Sequence, residues 1–169
     1  MKVIITILIV TALAGGCYWL TRYLTRDQDT TVGSDLISIN VLCNGEKQCV
    51  YQGQDLNINI IITNISNDSI SLPVAYLGQL GPRITLINND TGKELIIPTG
   101  PSQQSLLDDR TVISPGQTAR LSWILKNSDI LQVAGDAINI LANVTLSTPV
   151  YNSTGSTQET GRSSFTITH

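Results

Sequence analysis

Leu56-Asn-Ile-Asn-Ile-Ile-Ile-Thr63 alternates apolar and polar residues through its first half and then becomes wholly apolar. Successive strand side chains point to opposite faces, so the alternating half predicts a strand with one buried face. The apolar half predicts a central strand entering a core. Nothing in the stretch has helical spacing, and β-branched isoleucines favour an extended backbone.

The same rhythm recurs on both sides. Leu36 to Leu42, Ile70 to Leu72, Ile84 to Ile87, Glu94 to Ile97, Thr111 to Ile113, Ala119 to Leu125, Ala137 to Leu146 and Ser164 to Thr168 read as further strands. Asn88-Asn-Asp-Thr-Gly92 reads as a hairpin turn, and Ser114-Pro-Gly-Gln117 as a turn with Pro and Gly at its centre. Ala119, Leu121, Trp123 and Leu125 fall on one strand face, which makes Trp123 a core residue rather than a platform for sugar. Pro98 to Asp109 is expected as a loop, residues 147–162 as a flexible polar loop, and Ser128 to Val133 as the one helical piece, a turn or two long. About seven to nine short strands with Pro and Gly between them imply an all-β chain, an antiparallel β-sandwich.

Ile60 to Asn67, Ile113 to Gln117 with Leu121-Ser-Trp123, Gly135 to Ala142, and Gly161 to Ile167 together resemble immunoglobulin-like or fibronectin-III-like sandwiches of exported bacterial envelope proteins. The resemblance covers residues 36–168 and lies in turn and strand rhythm, so it implies a fold and not an activity. Such sandwiches serve as adhesion modules, assembly subunits, sugar-binding domains and protease inhibitors.

The first residues set the expected address. Val3 to Leu20 carries no charge, and as a helix would cover ~27 Å, enough to cross a bilayer core. Tyr18 and Trp19 would then sit at the interface. Ala14-Gly15-Gly16-Cys17 resembles a bacterial lipobox, which makes Cys17 the lipidation candidate. Cleavage after Ala12-Leu13-Ala14 is a third reading. The chain therefore divides into residues 1–20 as a signal, lipoprotein or transmembrane segment, 21–35 as a polar tether, and 36–169 as the sandwich. The expected location is membrane-anchored, facing the periplasm or cell exterior.

Charge narrows the partners. Residues 1–26 hold three of the ten basic groups and none of the thirteen acidic ones, so the remainder has seven basic against thirteen acidic groups, a net of −6. A mildly acidic domain with scattered cations is a poor match for a phosphate backbone, and nucleic acid is not an expected partner. Five Asn-x-Ser/Thr triplets begin at Asn64, Asn67, Asn89, Asn143 and Asn152. They bear on function only in a cell that glycosylates exported proteins.

Cys43-Asn-Gly-Glu-Lys-Gln-Cys49 is the sharpest local motif of the domain. Asn44-Gly45 favours a tight turn, and five intervening residues allow Cys43 and Cys49 to form a disulfide at a hairpin end. A metal site would need further Cys or His ligands. The rigid polar tip makes Asn44, Gly45, Glu46 and Lys47 candidate partner contacts. Leu77-Gly-Gln-Leu-Gly-Pro-Arg83 is a second candidate loop, with Leu77, Leu80 and Arg83 as contacts or, alternatively, with its leucines tucked beneath a crossover. Asp108-Asp109, Asp129 and Asp136 match no calcium-loop spacing.

The only histidine is His169, the last residue, so no histidine-based triad or zinc site is expected on a rigid element. No G-x-S-x-G, P-loop, dinucleotide fingerprint or H-E-x-x-H occurs. The expectation is a non-enzyme without cofactors, a membrane-tethered module that binds another envelope protein. A protease inhibitor presenting Asn88–Gly92 or Pro98–Asp109 is the alternative, and a carbohydrate-binding module a third reading.

Overall fold

The computed structural model describes residues 35–135 and 137–169, all within the compact unit Gly33–His169. The expected N-terminal helix, Cys17 and nearly all of the tether lie outside the described residues. Among those described, no helix is long and apolar enough to cross a membrane. The chain is mostly β. Ten strands form among the described residues: β1 Ile37–Cys43, β2 Gln48–Val50, β3 Leu56–Asn64, β4 Ile70–Leu72, β5 Arg83–Asn88, β6 Glu94–Ile97, β7 Thr111–Ile113, β8 Thr118–Leu125, β9 Asn139–Asn152 and β10 Gly155–Thr168. Two seven-residue helices, α1 Val74–Leu80 and α2 Asn127–Val133, and a 3-10 turn at Gln104–Leu107 interrupt them.

One sheet has the order β1-β3-β8, antiparallel throughout. The opening stretch is its central strand. Leu56, Ile58, Ile60 and Ile62 of β3 are fully buried. Strict alternation persists to the end of the strand, so Ile61 turns outward and is only half-covered. The apolar run therefore faces one core, not two, because a single sheet lies against β3.

The second sheet has seven strands and is built on β9. β10 pairs with β9 over its whole length, from Gly155 opposite Asn152 to Thr168 opposite Asn139. This overturns the expected flexible loop at residues 147–162. The segment is a long hairpin whose exposed face happens to be Ser, Thr, Gln and Arg, while Leu146, Thr148, Val150 and Glu159 supply the buried positions. Strands whose inward positions are themselves partly polar, as Thr148 and Glu159 are, carry too weak a period-two signal to be separated from a loop. Along its other edge β9 meets β5 at residues 140–145 and, further on, β4 at Tyr151. β6 then extends from β5, and β7 from β4.

Not every pair is antiparallel. β2 runs parallel to the last three residues of β10. The chain thus crosses from the first sheet to the second between β1 and β2. The two edges also approach each other where β1 faces β10. Val41 N–H donates to Ser163 Oγ at 3.2 Å, and Gly161 lies directly under Ile39. A Cβ on Gly161 would stand 2.6 Å from Ile39 Cγ2, so only glycine allows this closure.

A single hydrophobic core draws on both sheets: Ile58, Ile60 and Ile62 from one, and Leu86, Ile140, Val144 and Phe165 from the other. Trp123 belongs to its margin. It is half-buried, and its ring lies on Gly81 at the end of α1, with Gly100 beside it.

Candidate functional site: the disulfide-stapled tip

The sheet crossover is also where the sharpest sequence motif falls. Asn44 and Gly45 both have positive φ, 49° and 95°. Two such residues in succession make the tight turn for which Asn-Gly is the favoured pair. Cys43 N–H donates to Glu46 O at 2.7 Å, and Glu46 N–H returns to Cys43 O at 2.9 Å. β1 and β2 do not go on to pair beyond this turn. The expected hairpin end is a sheet switch instead, closed by the Cys43–Cys49 disulfide with a Cα–Cα separation of 5.5 Å.

Both cysteines are buried while Asn44 to Gln48 are exposed. The residues after the turn are tied to β10: Thr166 N–H donates to Lys47 O at 3.2 Å, Lys47 Nζ to Ser163 Oγ at 3.2 Å, and Gln48 Nε2 to Thr168 Oγ1 at 3.3 Å. On the other flank Asn44 N–H donates to Asn57 O at 2.9 Å. Cys43, Asn44, Glu46, Gln48, Cys49 and Val50 line a shallow cleft of about 190 Å³. Val50, at 54% exposure, gives that cleft an apolar rim. A polar, rigid protrusion with one exposed aliphatic side chain can mate with a partner at little conformational cost.

The other candidate residues are placed differently. Leu77 is fully buried inside α1, so it offers no contact surface, and Leu80 is half-buried. The alternative of tucked leucines describes Leu77 but not Leu80, and the crossover is a helix and not an open loop. Arg83 is exposed at the start of β5. Asn88 to Gly92 is a hydrogen-bonded end: Asn88 Oδ1 accepts from Asp90 N–H and Thr91 N–H, both at 2.9 Å, and Asn88 Nδ2 reaches Val133 O at 3.1 Å. Asn139 clamps the same turn from β9 through Asn89 and Asp90. Asp108 pairs with Arg110 at 3.6 Å, and the Arg110 guanidinium lies 3.6 Å from the Tyr151 ring centre. Among the described residues no group of His, Cys, Asp or Glu is arranged to hold a metal.

Sequence reading placed Gln48 in the motif without naming it a contact and missed Val50, because a three-residue strand has no periodicity to detect. It also missed that Lys47 is engaged with β10, a contact 116 residues away along the chain.

No protein-family model matches the chain, and no curated protein matches it. Solved structures with a β-rich fold are similar at low identity. The structural-genomics target SoR45 aligns at 10% identity and a TM-score of 0.45, over 80% of this chain and 88% of that one. A Bordetella pertussis protein described as ApaA aligns at 12% and 0.43, over 80% and 94%. The sporulation control protein Spo0M of Bacillus subtilis aligns at 8% and 0.39, over 79% and 50%. Similarities at this level carry no functional argument.

Proposed function

We propose that the chain is a non-catalytic envelope protein, held at a membrane by residues 1–20, whose immunoglobulin-like β-sandwich docks another envelope protein through the disulfide-stapled tip. The observation that carries the reading is the tip itself: exposed residues Asn44 to Gln48, fixed by a disulfide and by hydrogen bonds to two sheets, beside a small cleft with an apolar rim. The strand order supports the fold assignment. β1, β3 and β8 correspond to strands A, B and E of such a sandwich, and β10, β9, β5 and β6 to G, F, C and C′.

A photo-crosslinking side chain placed at Glu46 tests the docking surface in cells at native expression. A discrete adduct is expected from position 46 and none from Thr157, which is exposed near the far hairpin end. Equal or absent crosslinking at the two positions removes the tip as the docking site. Intact mass of the membrane-extracted protein tests the anchor: a lipidated chain starting at Cys17 or an unprocessed Met1 supports it, and a free chain starting after Ala14 sinks it.

One observation favours a second reading. Asn88 to Gly92 is held rigid by Asn88 and Asn139, as a loop presented to a protease cleft would need to be. Inhibition of at least one cysteine, serine or metalloprotease, lost on shortening this turn, would transfer the function to that loop.

A further inference from the structure

Arg162 of β10 stands opposite Thr145 of β9, and Thr145 stands opposite Arg83 of β5. All three share one rung and one face. Val144, Leu146 and Ile84 beside them are buried, so Arg162, Thr145 and Arg83 point away from the core, with both arginines exposed. Two strand spacings of ~4.8 Å separate the arginine backbones by ~10 Å, a span their long side chains can close over the threonine. Neither guanidinium has an ion-pair or hydrogen-bond partner among the described residues. The adjoining outward rungs are neutral: Ser164, Asn143 and Thr85 on one side, and Thr160 with Ser147 on the other. The first carboxylate along the rungs of this face is Glu94, which pairs with Ile87, four residues or ~13 Å along β5.

In the sandwich of residues 36–169, with seven basic and ten acidic groups and a net charge of −3, two of the cations are thus placed together on a row without a counter-charge. We propose that Arg83, Thr145 and Arg162 form a binding site for a tetrahedral dianion, the group presented by a phosphate or sulfate ester. Each guanidinium offers a planar fork of donors, and the Thr145 hydroxyl supplies a further donor between them. Two positive charges match a dianion, whereas a single carboxylate would engage one fork and leave the other unpaired. The site is separate from the stapled tip and does not depend on its role.

The test is a titration of the isotope-labelled full-length chain with inorganic phosphate at mildly alkaline pH and constant ionic strength, followed through the backbone amide signals of positions 83, 145 and 162, which every variant retains. Parallel arms use sulfate and acetate. Saturable shifts with phosphate and sulfate, at least about tenfold weaker with acetate, are expected. Arg83→Ala or Arg162→Ala should each raise Kd about tenfold, equivalent to ~1.4 kcal/mol. Arg83→Lys with Arg162→Lys keeps the charge, loses the forks, and should also weaken binding. Arg120→Ala, on the opposite sheet, should leave it unchanged, and the unaltered melting temperature of each variant shows that the fold survives. Shifts that merely follow ionic strength, an acetate response equal to that of phosphate, or unchanged affinity in either single alanine variant would each overturn the site.

Discussion

Asn64 opens one of the five Asn-x-Ser/Thr triplets, yet it is wholly buried and spends its side chain on structure. Nδ2 donates to Asp68 O at 2.8 Å and to Ile113 O at 2.9 Å, while Oδ1 accepts from Ser66 N–H and Ser66 Oγ. Its backbone meets Gly116 and Gln117 in the turn before β8. One amide thus joins the end of β3 to the loop after it and to β7. Asn64→Leu, of similar size, should cost about 3 kcal/mol, because the groups it served stay buried without partners. The check is a lower denaturation midpoint at unchanged slope. Gly161 makes the complementary point about space. Gly161→Ala should destabilise by about 1–3 kcal/mol through overpacking against Ile39. Combining it with Ile39→Ala should cost less than the sum of the two single changes in a double-mutant cycle. Neither role was legible in the sequence, where Asn64 was one asparagine among many and Gly161 lay in an expected loop.

Among the elements, the crossover from β1 to β2 shows how a local motif and a distant partner share control. Asn44-Gly45 and the cysteine spacing were enough to expect the turn and the disulfide. They could not reveal that the strands on either side belong to different sheets, since β2 is held by Thr166 to Thr168. Reducing or replacing Cys43 and Cys49 should lower stability by about 2 kcal/mol, the modest effect of closing a short loop. Exchange of the amides of residues 44–50 should accelerate while those of β3 remain slow. An equal acceleration across both would show that the staple holds the whole domain. α1 offers the converse case. Leu77-Gly-Gln-Leu80 is too short for a helical period and contains glycine, so its helix comes from packing of Leu77 into the core.

Across the whole molecule, protection from hydrogen exchange should follow how many neighbours a strand has. β3 lies between β1 and β8, and residues 140–145 of β9 lie between β5 and β10. These amides should exchange slowest. Residues 147–150 and their partners at 157–160 lack the second neighbour that β5 provides to the other half of β9, and should open at lower free energy. Uniform protection along the β9–β10 hairpin would refute this gradient.

The all-β character, nine of the ten strands in whole or part, the short helix before β9, the core face of β8 and the Cys43–Cys49 pairing could all be determined from the sequence alone. Each rests on local physics: period-two alternation, turn chemistry and the reach of a short loop. The full β9–β10 hairpin, the parallel β2, the closure of Gly161 against Ile39, and the Arg83–Thr145–Arg162 row were decided only by tertiary structure. The hairpin is a polar pairing that shows no clear period in the sequence, and the other three depend on register between segments tens of residues apart, where a one-residue slip would turn every side chain to the other face.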